Sequence, residues 1–126
     1  MLIDAHQHFW NLADRTGHWP PVDLAAIHRD FGPADLLPEL ARCEVTGTVL
    51  VQSLPTIADT IYLLETAQRN PFVRGVVGWV DLLAADAPAQ IAALARQPKL
   101  KGLRPMVTVS TARLKFWMTA RWAAFS

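Results

Sequence analysis

Cysteine occurs once in the 126 residues, at Cys43, so no disulfide can form within the chain, and a lone thiol fits a reducing compartment. Net charge is nearly absent: twelve Lys and Arg against eleven Asp and Glu leave +1. Attraction to phosphate needs a concentrated basic face, so this balance speaks against a nucleic-acid partner and against an acidic membrane surface. Long apolar runs are missing too. The longest stretch free of charge, Val45 to Ala58, is interrupted by Thr, Gln, Ser and Pro and falls short of the roughly 20 apolar residues that span a bilayer. The opening Met1-Leu2-Ile3-Asp4-Ala5-His6 lacks the basic-then-apolar pattern of a secretory leader. These readings place the chain in the cytoplasm.

The scarcities are uneven along the chain. Residues 1–106 hold all eleven acidic residues and nine of the twelve basic ones, whereas 107–126 hold three basic residues and no acid. Every Gly and Pro also precedes residue 107, and no histidine follows His28. A boundary is therefore expected at 106/107. The segment before it has the size and composition of one folded unit, and the one after it reads as an aberrant tail. A frame change or chimeric gene end near codon 107 explains the shift. The alternative is a divergent helix carrying Leu114, Trp117 and Met118.

What is present follows two alternating periods. Leu2-Ile3-Asp4-Ala5-His6 is a short run ending in polar residues, as a buried strand does when its C-terminal end reaches a site. Residues 9 to 33, rich in Pro, Asp, Gly and aromatics, form a long loop. Ala34 to Cys43 places Leu36, Leu37, Leu40 and Ala41 at helical spacing behind the start signal Gly32-Pro33, and Cys43 is expected to be buried and inert. Val45 to Val51 is β-branched and nearly uncharged, the pattern of a strand covered on both faces. Helical spacing returns in Ala58 to Asn70 at Ile61, Leu63, Leu64 and Ala67, and Asn70-Pro71 ends it. Val73 to Val80 is a third strand, Asp86 to Gln97 a third helix, and Leu100 to Leu103 a fourth strand leading into Arg104-Pro105.

This order predicts an α/β fold with a parallel sheet and right-handed crossovers. Two architectures satisfy it. One is a small open sheet, and the other is the N-terminal half of a (β/α)₈ TIM-type barrel, with four parallel strands and three helices. A closed barrel takes about 250 residues, so on the second reading the chain is truncated. Open sheet edges would then invite self-association.

The strongest chemical constellation is Asp4-Ala5-His6-Gln7-His8. Side chains alternate along a strand, so His6 and His8 point the same way, close enough to share one cation. Imidazole nitrogen is a common ligand of zinc, but a catalytic site needs about three protein ligands plus an open position. For an arbitrary His-x-His the commoner outcome is a hydrogen-bonding role at a strand end. The position raises the odds of chemistry here, because parallel α/β enzymes carry their ligands at the C-terminal ends of strands.

Ile3-Asp4-Ala5-His6-Gln7-His8-Phe9-Trp10 resembles the opening of the amidohydrolase-related family, in its branch of sugar-acid and dicarboxylate lactonases such as the L-fuconolactonase-like and L-rhamnonolactonase-like enzymes. The resemblance continues through Val49-Leu50-Val51-Gln52, through Phe72 to Asp81, and through Lys101-Gly102-Leu103-Arg104-Pro105-Met106, covering about 1–106. It implies a (β/α)₈ barrel that opens a lactone by activated water. His6 and His8 would be site and metal ligands, further histidines would come from the middle strands, and an aspartate ending the eighth strand would be the general base. A divalent metal, zinc foremost, would polarise the carbonyl and lower the pKa of its water. Some members of the branch work without a tightly held metal, and there the first-strand pair positions substrate.

The chain departs from that pattern after Met106, where neither later histidines nor the late aspartate follow, so by itself it is expected to be inactive. Gln52, ending the second strand, is a candidate substrate-binding residue, against satisfying backbone groups at a turn. Arg104, ending the fourth, could clamp a substrate carboxylate or form a structural ion pair. Trp10 could wall the pocket, while Trp79 is equally suited to the core. Asp81 reads as a loop or capping residue, and His18 and His28 as exposed and non-catalytic. Two further readings stand beside the lactone hydrolase: a decarboxylase of the same barrel family, and a non-catalytic fragment that self-associates through its sheet edges.

Overall fold

The computed structural model describes residues 1–15 and 17–106. The tail after residue 106, and with it the alternative helix around Leu114, lies outside the described residues. Four strands, β1 (Ile3–Gln7), β2 (Gly47–Val51), β3 (Val73–Gly78) and β4 (Leu100–Leu103), form one sheet in the order β1-β2-β3-β4. All three pairings are parallel. Helices α1 (Pro33–Arg42), α2 (Ile57–Arg69) and α3 (Ala87–Leu94) make the crossovers, and a 3₁₀ turn covers Leu12–Arg15. Sequential strand order with a helix between each pair is the arrangement of half a (β/α)₈ barrel.

Local chemistry sets the element ends. Gly32 precedes α1, Pro33 opens it, and the Asp35 carboxylate accepts the Gly32 N–H at 2.9 Å, so the first turn carries its own anion. At the other end the Val45 N–H reaches the Leu40 carbonyl at 2.9 Å while Glu44 takes a left-handed φ of 56°. This turn consumes Val45, so β2 begins at Gly47 and not at Val45 as the β-branched run suggested. Cys43 sits in the same turn and is exposed, which corrects the expectation of a buried thiol. Thr56 caps α2, its hydroxyl accepting the Asp59 N–H at 3.1 Å.

β3 stops at Gly78, short of the expected Val80, because the Thr60 hydroxyl of α2 occupies both polar groups of the next residue. It donates to the Trp79 carbonyl and accepts the Trp79 N–H, each at 2.8 Å. A Cβ at Gly78 would lie 2.6 Å from the Thr60 methyl, so glycine is what lets the helix sit this close to the strand. The buried cluster of Phe9, Leu50, Leu63, Leu64, Ala67, Val73 and Val76 joins β2 and β3 to α2, with Leu36, Leu94 and Leu100 packed around it. α3 is shorter than its apolar spacing predicted. It dissolves after Leu94 into tight turns, with Arg96 N–H on Ala93 O and Gln97 N–H on Leu94 O.

The long segment between β1 and α1 is irregular, as its composition required, but it is held. Trp10 and Phe31 exchange backbone hydrogen bonds at 3.1 and 3.0 Å, closing its neck. No helix among the described residues is long and apolar enough to cross a membrane.

Candidate active site

The parallel sheet brings the C-terminal ends of its strands to one side, and His6, His8, Gln52 and Arg104 all stand there. His6 and His8 project to the same side of the strand end. Their Nε2 atoms are 3.2 Å apart, with ring centroids 4.9 Å apart and the planes at 82°. Asp4 accepts the His6 backbone N–H at 3.0 Å. Gln7, buried between the histidines, donates to the His8 carbonyl at 2.7 Å and accepts from the Thr48 hydroxyl at 3.3 Å, which ties this end of β1 to β2.

His8 has a determined tautomer. Its Nδ1 lies 2.7 Å from the Val51 carbonyl oxygen, which can only accept, so Nδ1 carries the proton. Burial pushes the His8 pKa down. The Val51 hydrogen bond opposes that shift, and the neighbouring His6 and the Arg104 guanidinium add to it. The neutral ring therefore presents a bare Nε2 lone pair toward His6. Two nitrogens bound tetrahedrally to one zinc at 2.0–2.1 Å would be about 3.3–3.4 Å apart, so the observed spacing fits a shared cation. The same spacing also suits a hydrogen bond from His6 to His8 when no cation is bound. Among the described residues no third His, Cys, Asp or Glu joins them.

Gln52 and Arg104 interlock across β3. The Gln52 amide donates to the Arg104 carbonyl at 3.0 Å, and Arg104 Nη2 donates to the Gln52 carbonyl at 2.6 Å. The Arg104 acceptor fixes the orientation of the amide, leaving Gln52 Oε1 and Arg104 Nε buried with no partner among the described residues. No carboxylate faces Arg104, so the structural ion pair considered for it is not formed among the described residues. Trp10 is buried. Its indole N–H is taken by the Arg29 carbonyl at 2.8 Å, and its ring packs on Trp19 and Phe31, each with centroids at 4.9 Å. Asp81 is a loop residue, its carboxylate accepting the Leu83 N–H at 3.0 Å. His18 is exposed, and His28 is half-buried with Nδ1 3.0 Å from the Pro20 carbonyl.

Sequence reasoning missed Arg15 and Asp59. They form an ion pair at 2.8 Å with side chains only 3% and 4% exposed. Asp59 also accepts the Ser53 and Leu54 N–H groups at 3.0 and 3.2 Å, and Arg15 reaches the Ser53 hydroxyl at 2.7 Å. A cavity of about 480 Å³ opens beside this pair, lined by Asn11, Asp14, Leu54, Tyr62 and Glu65, and neither His6 nor His8 borders it.

A family model described as Amidohydrolase matches residues 3–121. The chain belongs to the amidohydrolase family. It is 65% identical over 105 residues to an L-fucono-1,5-lactonase of Burkholderia ambifaria, covering 83% of this chain and 36% of that protein. It is 32% identical over 104 residues to an L-fucono-1,5-lactonase of Burkholderia multivorans, covering 82% and 35%. A crystal structure of a Burkholderia multivorans amidohydrolase with bound zinc superposes with a TM-score of 0.82 at 31% identity, over 98% of this chain and 43% of that one. The chain thus spans little more than a third of the length of the curated relatives it matches. This amidohydrolase segment supplies the first four strands of the barrel.

Proposed function

We propose that this amidohydrolase segment carries the first-strand part of a lactone-opening site in which His6 and His8 hold a divalent metal, zinc foremost. One observation carries the reading: two imidazole Nε2 atoms converge to 3.2 Å at the end of the first parallel strand, one of them locked in its metal-ready tautomer by the Val51 carbonyl. The relatives named as L-fucono-1,5-lactonases and the zinc-bearing structural neighbour support it. Bound there, zinc supplies a charge that polarises an ester carbonyl and makes water more acidic near neutral pH. His8 stays neutral because burial opposes its protonation. Gln52 and Arg104, interlocked at the ends of β2 and β4, are the residues we assign to the polar groups of a sugar-acid lactone. Trp10 backs the wall of the site by stiffening the loop above β1.

The remaining ligands and the general base are not carried by residues 1–106, so this chain alone does not turn over lactones. We place the boundary of the folded unit at 106/107, attribute the composition after it to a frame change, and assign the chain to the cytoplasm. β1 and β4 each pair on one side only among the described residues, which favours self-association through those strands as a second property. The lactonase names of the relatives favour lactone hydrolysis over decarboxylation.

The test is calorimetric titration of the metal-free chain with zinc at pH 7.5, beside His6→Ala and His8→Ala. One site is expected in the parent chain, weakened at least about tenfold by either substitution. Equal affinity in all three proteins overturns the assignment. L-Fucono-1,5-lactone hydrolysis by the chain should stay at the buffer rate, and turnover would refute the claim that the base lies elsewhere.

A further inference from the structure

We infer that the buried Arg15–Asp59 pair is a positioning device for the first-strand histidines, clamping the chain that leaves β1 to the chain that leaves β2 so that the His8 imidazole meets the Val51 carbonyl. The inference rests on the proposed role of His6 and His8 and asks what holds them. β1 is an outer strand, paired only with β2 among the described residues. Its ladder to β2 is irregular between Asp4 and Gln7, the stretch that carries His6. Gln7 pairs with Leu50 beyond that slip, but His8 lies past the last paired residue, so backbone pairing does not by itself set its ring.

A closed ring of contacts does. Beyond His8 the chain turns through Leu12–Arg15, and Arg15 then donates to Asp59 at 2.8 Å and to the Ser53 hydroxyl at 2.7 Å beyond the end of β2, and to the Trp19 carbonyl of its own loop at 3.3 Å. Asp59 gives one carboxylate oxygen to Arg15 and the other to the N–H groups of Ser53 and Leu54. Two residues before Ser53, the Val51 carbonyl accepts His8 Nδ1, which closes the ring. Both charges are out of water, so removing one strands the other, and the local structure must rearrange to hydrate it. A lysine at residue 15 would carry the charge without the planar fork that meets three acceptors at once.

Outer partners of ligand histidines fix ring orientation, and their loss typically weakens metal binding about 10–100-fold. The experiment uses the full chain with Asp59→Asn, Arg15→Met and, as a destabilised control remote from the site, Lys99→Met. The first readout is the ¹⁵N spectrum of the His8 ring at pH 8 without metal. The parent chain and Lys99→Met should show a single tautomer protonated at Nδ1, and the two clamp variants a mixture. A single unchanged tautomer in both folded clamp variants overturns the inference. Should a clamp variant not fold, Arg15→Lys takes its place, with the same mixture expected. The second readout is zinc titration, where the clamp variants should bind about tenfold or more weakly than Lys99→Met. Zinc binding as tight as that of Lys99→Met also overturns the inference. If the parent chain itself binds no zinc, the metal assignment fails, while the tautomer readout still decides the clamp.

Discussion

Replacing Thr60 by valine tests the contact that ends β3 and seats α2. The Thr60 side chain is fully buried, and its hydroxyl is both donor and acceptor to Trp79 at 2.8 Å. Valine keeps the shape and deletes both bonds, leaving a backbone N–H and a carbonyl that water reaches only in part. An unsatisfied buried group costs about 1–3 kcal/mol, and partial hydration of two such groups brings the sum to roughly 2–4 kcal/mol. The new methyl would occupy the hydroxyl position 2.8 Å from Trp79 N and O, closer than carbon tolerates, so the upper half of that range applies. Thr60→Ser keeps the hydroxyl, loses one methyl and should cost only about 1 kcal/mol. Urea unfolding followed by tryptophan fluorescence measures both, and the Trp79 amide should lose hydrogen-exchange protection in the valine variant alone. A valine variant within about 0.5 kcal/mol of the parent chain, or no less stable than the serine one, would refute the account.

Two further outcomes follow from the same contacts. Burial holds the folded-state pKa of His8 below its ordinary 6.5, so the folded chain binds fewer protons there than the unfolded one. The stability this contributes is whole above pH 6.5 and is lost as pH falls through the folded value. Metal-free chain should therefore lose more stability between pH 8 and pH 5 than His8→Gln does, and a pH-independent difference between the two would contradict the burial. Lys99 donates to the carbonyls of Ala67 and Asn70 at the C-terminal end of α2, where a cation also suits the helix dipole. Lys99→Met should cost about 1 kcal/mol in thermal or urea unfolding without moving zinc affinity, and no loss of stability would show the cap to be idle.

Much of this could be read from the chain because it depends on neighbours in sequence. The period of the apolar residues gave the alternation of strand and helix, and Leu100–Leu103 coincides with its expected span. The two-residue spacing of His6 and His8 gave their shared direction, since alternation along a strand is a property of the backbone. Element ends were less legible. Glu44 adopts a left-handed conformation in the turn that returns the Val45 N–H to the Leu40 carbonyl, and nothing in Val45-Thr46 signals that the strand waits for Gly47. Cys43 looked buried because it continued the helical pattern, and it is exposed because the helix has already ended there.

By itself the sequence determined the α/β class, the alternation of strand and helix along the chain, the histidine pair and the family, because these follow from local periodicity and from short motifs. Only the tertiary structure decided what holds that pair. Arg15 and Asp59 are 44 residues apart, and Gln52 and Arg104 are 52 apart. Arg15 and Asp59 read alone as ordinary polar side chains on a loop and a helix, and Gln52 and Arg104 as two separate strand-end candidates with no sign that they interlock. Their meaning arises when a parallel sheet carries the ends of successive strands to one side, where buried charges and backbone groups must find partners at whatever sequence distance the fold allows.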